Sequence, residues 1–302
     1  MAQDSRGVAA PRDSALAMRM RHTRRWLAFS AGLVIFCALA TPAVRGQTDC
    51  EKGADSMRAI QPQGISPQEI IEKFAAKESR FKSERRNYSF TQDVTIQTLR
   101  PMLSAKPGVD GEYRQVMEVS YDAHGKRLER VTFAPQTSLL RITLTPEDLE
   151  DIRERSSFAL GAEELPIYTV RYAGRQHVDQ LETYVFEVAP KTIEHGQHYF
   201  QGRVWVEQAD LVVVKTCGKT VPDVVRVKKG KRMAENIHPT FVTYREEIDG
   251  RFWFPTYSRS DDTLNFSTGS VHIRETIKFL NYQASASKAQ AVRGEAITEK
   301  PK

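Results

Sequence analysis

Cysteine is scarce in this chain, and the residue patterns of common catalytic sites are missing. Of the 302 residues only three are cysteine, at positions 37, 50 and 217, and no two of them form a C-x-x-C redox motif. The sequence also has no zincin helix motif, no nucleophile elbow and no glycine-rich phosphate loop. We therefore predict a non-catalytic protein that needs no metal and no cofactor.

The N-terminus, in contrast, is rich in arginine and then in apolar residues. Several arginines precede an apolar run that begins at Trp26. This layout predicts a secretory signal peptide over residues 1–46, with residues 18–43 as its core. The alternative is an uncleaved inner-membrane anchor through residues 26–44, because that stretch is close to the roughly 20 apolar residues of a spanning helix.

The formal net charge of +6 comes almost wholly from this leader. Residues 1–46 hold seven arginines and two aspartates, which leaves 37 basic and 36 acidic residues in the rest of the chain. A nearly neutral mature chain gives no support to nucleic-acid binding, so we predict no nucleic-acid partner. One basic cluster remains at Lys228–Arg232, and we interpret it as a solvated loop.

Export would bring Cys50 and Cys217 into an oxidising compartment, where one disulfide can join them. Two separate thiols are the alternative, since the sequence does not give the distance between them. Residues 47–65 are predicted to form a loose N-terminal segment. Residues 284–302 contain almost no large apolar residue and are predicted to form a disordered tail.

Two helices are predicted within the domain. Ser66, Pro67 and Glu69 supply an N-cap, a proline at the first helical position and a carboxylate for a capping box, so a helix is expected from Ser66 to about residue 86. A second helix is expected from Thr145, because its acidic first turn suits the positive end of the helix dipole.

The other segments predict antiparallel strands. From Tyr88 to Thr98 apolar and polar residues alternate, so one face of that strand is apolar. Residues 203–215 and 241–255 are β-rich runs that are each broken once by a polar turn, as in hairpins. The predicted class is α+β, a large twisted antiparallel sheet with two helices on one side. Further strands are predicted over residues 113–121, 127–133, 167–172, 183–189 and 271–282.

One short segment carries residues that could hold a metal. Glu194, His195 and His198 place two imidazoles and a carboxylate close together in the sequence, but Gly196 favours a loop. A zinc enzyme would also need a third ligand and an orienting second shell of hydrogen bonds. A metal-dependent hydrolase is therefore the third of three functional hypotheses.

Four patterns in the strand-rich half of the chain are distinctive. They are Tyr-x-Phe-Glu-Val-x-Pro at 184–190, Arg-Val-Trp-Val-Glu-x-x-Asp from 203, Asp-Gly-Arg-Phe-Trp-Phe-Pro at 249–255 and Ile-x-Phe-x-Asn-Tyr at 277–282. Together they resemble the LolA-like outer-membrane lipoprotein carriers and the related RseB-like periplasmic stress sensors, over about residues 66–283. The resemblance implies an incomplete, strongly curved antiparallel β-barrel of about ten strands, with helices covering the concave side, in the periplasm of a Gram-negative bacterium.

The first functional hypothesis is a carrier that holds lipid or lipoprotein acyl chains in an apolar cavity. The second is an interaction or signalling protein that binds a membrane-bound partner protein through a strand edge. For the carrier, Ile71, Phe74 and Phe81 of the first helix are predicted as a lid. The predicted lipid-binding residues are Phe90, Val94, Ile96, Met117, Val119, Val131, Phe133, Phe186, Val188, Phe252, Phe254, Ile273 and Ile277.

Overall fold

A computed structural model describes residues 49–51, 54–101, 108–156, 158–228, 231–266 and 268–285. The predicted signal peptide, and all of the predicted tail after residue 285, lie outside these residues. None of the described helices is both long enough and apolar enough to cross a membrane.

Ten antiparallel strands form the main sheet, which is open because its first and last strands do not pair with each other. The spatial order is β3-β2-β1-β12-β11-β10-β7-β6-β5-β4. The α+β class and the open antiparallel sheet are confirmed. The strands of this sheet are β1 (Tyr88–Leu99), β2 (Val109–Tyr121), β3 (Arg127–Phe133), β4 (Tyr168–Val178), β5 (Leu181–Pro190), β6 (Tyr199–Glu207), β7 (Val213–Val221), β10 (Phe241–Ile248), β11 (Phe252–Phe266) and β12 (Gly269–Ala284), while β8 (Val224–Lys228) and β9 (Lys231–Glu235) form a separate two-stranded hairpin.

Strands β8 and β9 correct part of one prediction, because Lys228, Lys231 and Arg232 lie in them, whereas the basic cluster was expected to be a loop. Val227 pairs with Arg232, and Lys228 pairs with Lys231. Valines at 224, 225 and 227 favour extended backbone, whereas the basic composition that drew attention to this segment carries no information on backbone conformation.

Helix α1 (Pro67–Glu84) begins where the capping pattern predicts. The Ser66 side chain accepts a hydrogen bond of 3.1 Å from the backbone N–H of Glu69. A short 3₁₀ turn, Arg85–Asn87, follows the helix and leads directly into β1. This short connection to β1 keeps α1 close to the sheet, with its apolar face over it.

Helix α2 (Pro146–Ser156) has a reciprocal cap at its N-terminus. The backbone N–H of Asp148 donates to the Thr145 hydroxyl over 3.2 Å, and the Asp148 carboxylate accepts from the backbone N–H of Thr145 over 2.7 Å. Ile152 is buried and packs with Val94 and Ile96 of β1. Both helices thus contribute to apolar clusters on the sheet.

The two hairpin turns are also where the sequence predicts them. In the turn between β6 and β7, the Glu207 carboxylate accepts from the backbone N–H of Ala209 at 2.8 Å and of Asp210 at 2.6 Å. In the turn between β10 and β11, Asp249 and Gly250 both have positive φ, 54° and 63°. Positive φ at both central residues is typical of a type I′ turn, and the pairing of Ile248 with Phe252 leaves three residues between the strands.

Alternation along the strands gives the sheet two different faces. On β5, Phe186 and Val188 belong to the cluster that includes Phe74 of α1. Val185 belongs instead to a cluster with Trp205, which is fully buried on the face away from α1. We refer to these as the helix-covered face and the opposite face.

Candidate functional site

Most of the predicted lipid-binding residues are buried side chains. Phe90 is partly buried, while Val131 and Phe133 are 51% and 49% exposed on β3. The role of all thirteen in binding lipid stays a prediction. The buried members are Val94, Ile96, Met117, Val119, Phe186, Val188, Phe252, Phe254, Ile273 and Ile277.

The three predicted lid residues of α1 are buried against the sheet. The ring of Phe74 lies 5.6 Å from that of Phe186, and the ring of Phe81 lies 5.3 Å from that of Phe254. Ile71 joins the same cluster as Phe74. Aromatic pairs at these centroid distances are in packing contact, so the helix and the sheet meet directly at these residues.

A buried ion pair fastens the middle of α1 to β10. Arg245 donates two hydrogen bonds to the Glu78 carboxylate, at 2.7 and 3.1 Å, and a third of 2.8 Å to the carbonyl oxygen of Phe158. The side chains of Arg245 and Glu78 are only 2% and 5% exposed. The guanidinium also lies 4.8 Å from the centre of the Phe81 ring. The sequence prediction missed this pair, because its members are 167 positions apart.

The last turns of α1 are held by polar contacts to the loop after α2. Lys82 pairs with Glu163 at 2.7 Å, and the Ser79 hydroxyl donates to the same carboxylate at 2.6 Å. These hydrogen bonds lower the pKa of Glu163 to about 2. The lid predicted from sequence is therefore fastened by charged groups as well as by apolar packing.

On the opposite face, a disulfide joins Cys50 to Cys217 of β7, with 5.5 Å between the Cα atoms. The buried ammonium of Lys215 donates to the carbonyl oxygen of Cys50 at 2.9 Å and lies 4.7 Å from the Trp205 ring. Burial lowers the pKa of Lys215 to about 8, although the carboxylates of Glu51 and Asp179 act in the other direction. The segment around Cys50 is thus held on this face by a covalent bond and by buried polar contacts.

Residues 54–58, which follow the disulfide-bonded Cys50, also pair with the outer edge of β4. Arg58 and Arg175 exchange two backbone hydrogen bonds of 2.8 Å, and the N–H of Asp55 donates to the carbonyl of His177 at 3.2 Å. Gly174, with φ of 150°, permits this approach, because a Cβ there would lie 2.4 Å from the carbonyl oxygen of Arg58. One edge of the ten-stranded sheet is therefore paired with the chain's own residues 54–58.

The edge at β3 differs from the edge at β4. No described residue forms a strand or bridge on the outer side of β3. Leu128 is 45% exposed there, in addition to Val131 and Phe133. Leu128 pairs with Ser120 of β2, and Val131 pairs with the buried Met117. Because Ser120 and Met117 lie on opposite faces of β2, exposed apolar side chains lie on both faces of β3.

A groove of about 1460 Å³ lies on the opposite face beside the disulfide. Its charged groups largely satisfy one another: Arg203 donates to Glu51 at 2.8 Å, and Arg171 pairs with Glu187. A groove with this many charges does not match the apolar cavity that the carrier hypothesis requires.

Glu194, His195 and His198, the residues behind the third hypothesis of a metal-dependent hydrolase, form no cluster of metal ligands in the described part of the chain. His195 and His198 are both exposed, and the ring of His198 lies 5.4 Å from that of His238. Among the described residues there is no group of three or more His, Cys, Asp or Glu that could hold a metal ion.

No family model matches this chain, and no curated protein matches it. Solved structures give distant matches to MucB. The complex of Pseudomonas aeruginosa MucA and MucB is 12% identical, covers 70% of this chain and 99% of the other, and has a TM-score of 0.21. A structure of MucB with the periplasmic part of MucA is 10% identical, with coverages of 70% and 99% and a TM-score of 0.20. A structure of MucB is 14% identical, with coverages of 72% and 94% and a TM-score of 0.23. This is a distant relation at the level of the fold, and overlaps this low carry no argument about function.

Removing one partner of the buried ion pair should cost much more stability than removing both. We expect Glu78→Leu or Arg245→Met alone to lower the free energy of unfolding by about 3–5 kcal/mol, because a single buried charge is left without its partner. The double variant should recover most of that loss in urea unfolding at pH 7. The control is Lys73→Gln, which breaks the exposed 2.9 Å pair with Glu69 and should cost less than about 1 kcal/mol. Equal losses in the single and double variants would contradict the pairing.

The lowered pKa of Lys215 predicts a specific dependence of stability on pH. Between about pH 8 and about 10.4, the ordinary lysine value, the unfolded chain binds a proton at this residue that the folded chain has released. The contribution of Lys215 to stability therefore rises with pH in that window and is lowest below about pH 8. The gain between pH 7.5 and pH 10 in urea unfolding should be smaller in Lys215→Met than in the wild type. An identical gain in both proteins would show that Lys215 does not titrate in this way.

Proposed function

We propose that this chain is an exported, non-catalytic binding protein that holds an extended segment of a partner polypeptide against the free edge of β3. The observation that carries this proposal is the contrast between the two edges of the sheet. The β4 edge pairs with residues 54–58, while among the described residues the β3 edge has no neighbour and carries exposed Leu128, Val131 and Phe133.

The edge of β3 carries three charged and three large apolar side chains among its seven residues, so its charges protect it only in part. Natural sheets protect their edges with charges, prolines, bulges or covering segments, since unpaired N–H and C=O groups attract other strands. Strand addition would use those groups for a new ladder of hydrogen bonds, and the exposed side chains of β3 would contact alternate side chains of the partner. A cavity of about 520 Å³, lined in part by Leu128, Ser120 and Ser89, lies beside β3 to receive one of them.

The charges on β3 indicate what the partner segment contains. Arg130 stands between Leu128 and Phe133, and its side chain is 72% exposed although it pairs with Glu118. Arg114 of the neighbouring strand lies 5.5 Å from the Phe133 ring. A strand with apolar residues at alternate positions and an acidic residue opposite Arg130 would complement this edge.

Two features support the periplasm as the compartment. The predicted leader would export the chain, and the disulfide between Cys50 and Cys217 needs an oxidising environment to persist. A membrane-bound protein with a periplasmic segment is then a suitable partner. The solved complex with the periplasmic part of MucA concerns MucB and not this chain.

A second candidate is the carrier of lipid or lipoprotein acyl chains, and the apolar layer under α1 favours it. Buried aromatic contacts run from Phe74 and Phe186 to Phe81, Phe254 and Tyr88 along this helix. Burying an acyl chain gains about 0.8 kcal/mol per CH₂, so a chain could replace these contacts if α1 lifted from the sheet. This function would require the Glu78–Arg245 pair to open.

Strand addition can be tested with a nine-residue peptide that alternates valine and threonine around a central glutamate. We expect saturable binding in NMR titrations, weakened about tenfold or more by Val131→Lys with Phe133→Lys, because charged edges resist pairing. Ile167→Lys, at an exposed apolar residue beside the β4 edge, is the matched control and should have no effect.

Two altered peptides make the test specific for a strand ladder. Methylation of alternate backbone nitrogens removes hydrogen-bond donors and should abolish binding, while replacement of the central glutamate by lysine should weaken it. Equal binding of the methylated and unmethylated peptides would overturn the proposal.

The carrier function predicts that loosening the lid speeds ligand entry. Glu78→Gln should increase the rate at which a dansylated C11 fatty acid binds, whereas Lys73→Gln, on the exposed side of α1, should not. Protein purified from the periplasm should also release acyl lipids on solvent extraction, as measured by mass spectrometry. Absence of lipid, together with equal probe binding in both variants, would exclude this candidate and leave strand addition unaffected.

A further inference from the structure

The disulfide between Cys50 and Cys217 lies in the wall of a large groove. Both cysteines line the groove of about 1460 Å³ on the opposite face of the sheet. Cys217 on β7 is only 1% exposed, whereas Cys50 is partly exposed. A soluble thiol can therefore approach the bond from the side of Cys50 while the sheet stays folded.

The disulfide also anchors the segment that covers the edge of β4. Cys50 is bonded to β7, and a few residues later Asp55 and Arg58 form backbone hydrogen bonds with β4. Residues 55–60 are all exposed, so this segment buries little apolar surface. Because exposed backbone hydrogen bonds contribute little net stability, the covalent bond largely determines whether the segment stays in place.

The surface beneath this segment is polar. The fully buried Gln176 donates through Nε2 to the Glu51 carboxylate at 3.1 Å and to the carbonyl oxygen of Asp55 at 2.6 Å. The ammonium of Lys215 donates to the carbonyl oxygen of Cys50 at 2.9 Å. Water can replace each of these acceptors once the segment leaves, so its departure does not strand polar groups of the sheet. A contact of this kind separates at lower cost than an apolar one.

We propose that this disulfide is a site of reduction by a dithiol, and that reduction releases the segment around Cys50 from β7 and from the edge of β4. A thiolate of the dithiol attacks the sulfur of Cys50, and the sulfur of Cys217 leaves as a thiolate and takes up a proton. The second thiol of the reductant, as its thiolate, then attacks the reductant's own sulfur in the mixed disulfide, so that Cys50 leaves and is protonated. Two electrons and two protons pass to the protein, and the dithiol becomes a disulfide.

Release would give the sheet a second free edge. Arg175 would lose the partners of its N–H and its carbonyl oxygen, and the carbonyl of His177 would lose the N–H of Asp55. The β4 edge would then present unpaired backbone groups, as the β3 edge does among the described residues. The reduction site lies on the opposite face and does not depend on strand addition at β3.

Hydrogen exchange of the full mature protein, before and after treatment with dithiothreitol, measures the release. Alkylation with iodoacetamide and mass spectrometry will confirm that two thiols have formed. The N–H groups of Asp55, Arg58 and Arg175 should exchange at least about tenfold faster after reduction, because each donates to a partner across this edge. The N–H of Ser138, which donates to Glu112 near the other end of the sheet, should exchange at an unchanged rate.

Two variants separate the disulfide from the polar contacts. Cys50→Ser leaves the buried Cys217 in place and should show the fast exchange without a reductant. Arg203→Gln breaks the 2.8 Å pair with Glu51 but keeps the disulfide, so it should raise exchange by less than about threefold. A tenfold rise in Arg203→Gln would show that polar contacts hold the segment instead.

The rate of reduction tests access through the groove. Thiols should form in the oxidised wild type at least about tenfold faster than the protein unfolds globally, since the groove admits dithiothreitol to the folded chain. Reduction no faster than global unfolding would overturn the proposal. Unchanged exchange at Asp55, Arg58 and Arg175 after complete reduction would overturn it as well.

Discussion

Burial of the apolar side of α1 against the sheet is the interaction on which the rest of the domain depends. Phe74 contacts Phe186 on β5, and Phe81 contacts Phe254 on β11, so one helix joins strands from distant parts of the sheet. Each large apolar side chain buried in this way contributes about 1.5–3 kcal/mol. The Glu78–Arg245 pair then fixes the position of the helix along the sheet, because a shift of one turn would separate two buried charges.

The opposite face and the two edges follow from this arrangement. With α1 on one face, the N-terminal segment is bonded to the other face through the disulfide to Cys217 and continues onto the edge of β4. An open sheet has two edges, and the chain uses its own backbone to complete only one of them within the described residues. In the proposed function, the exposed side chains of β3 are the surface that a partner strand would cover.

Much of this architecture is predictable from local sequence patterns. The cap at Ser66, the hairpin turn at Asp249 and the alternation along β1 each depend on neighbouring residues, and each agrees with the structure. The Glu78–Arg245 pair and the meeting of Asp151 with His238 depend on residues far apart in the chain, so no local pattern reveals them. The β8–β9 hairpin was missed for a different reason, since charge suggested a loop while β-branched residues favoured strands.

Helix α2 links the free edge of β3 to the end of β7. Arg153 of α2 pairs with Glu129 of β3 at 3.3 Å, and Asp151 accepts a hydrogen bond of 3.1 Å from the Thr220 hydroxyl. A strand added to β3 would lie beside Glu129, and a change in the Glu129–Arg153 contact would act on this 11-residue helix. Proximity alone does not establish coupling, because both ends of such a link must bias one element with two arrangements.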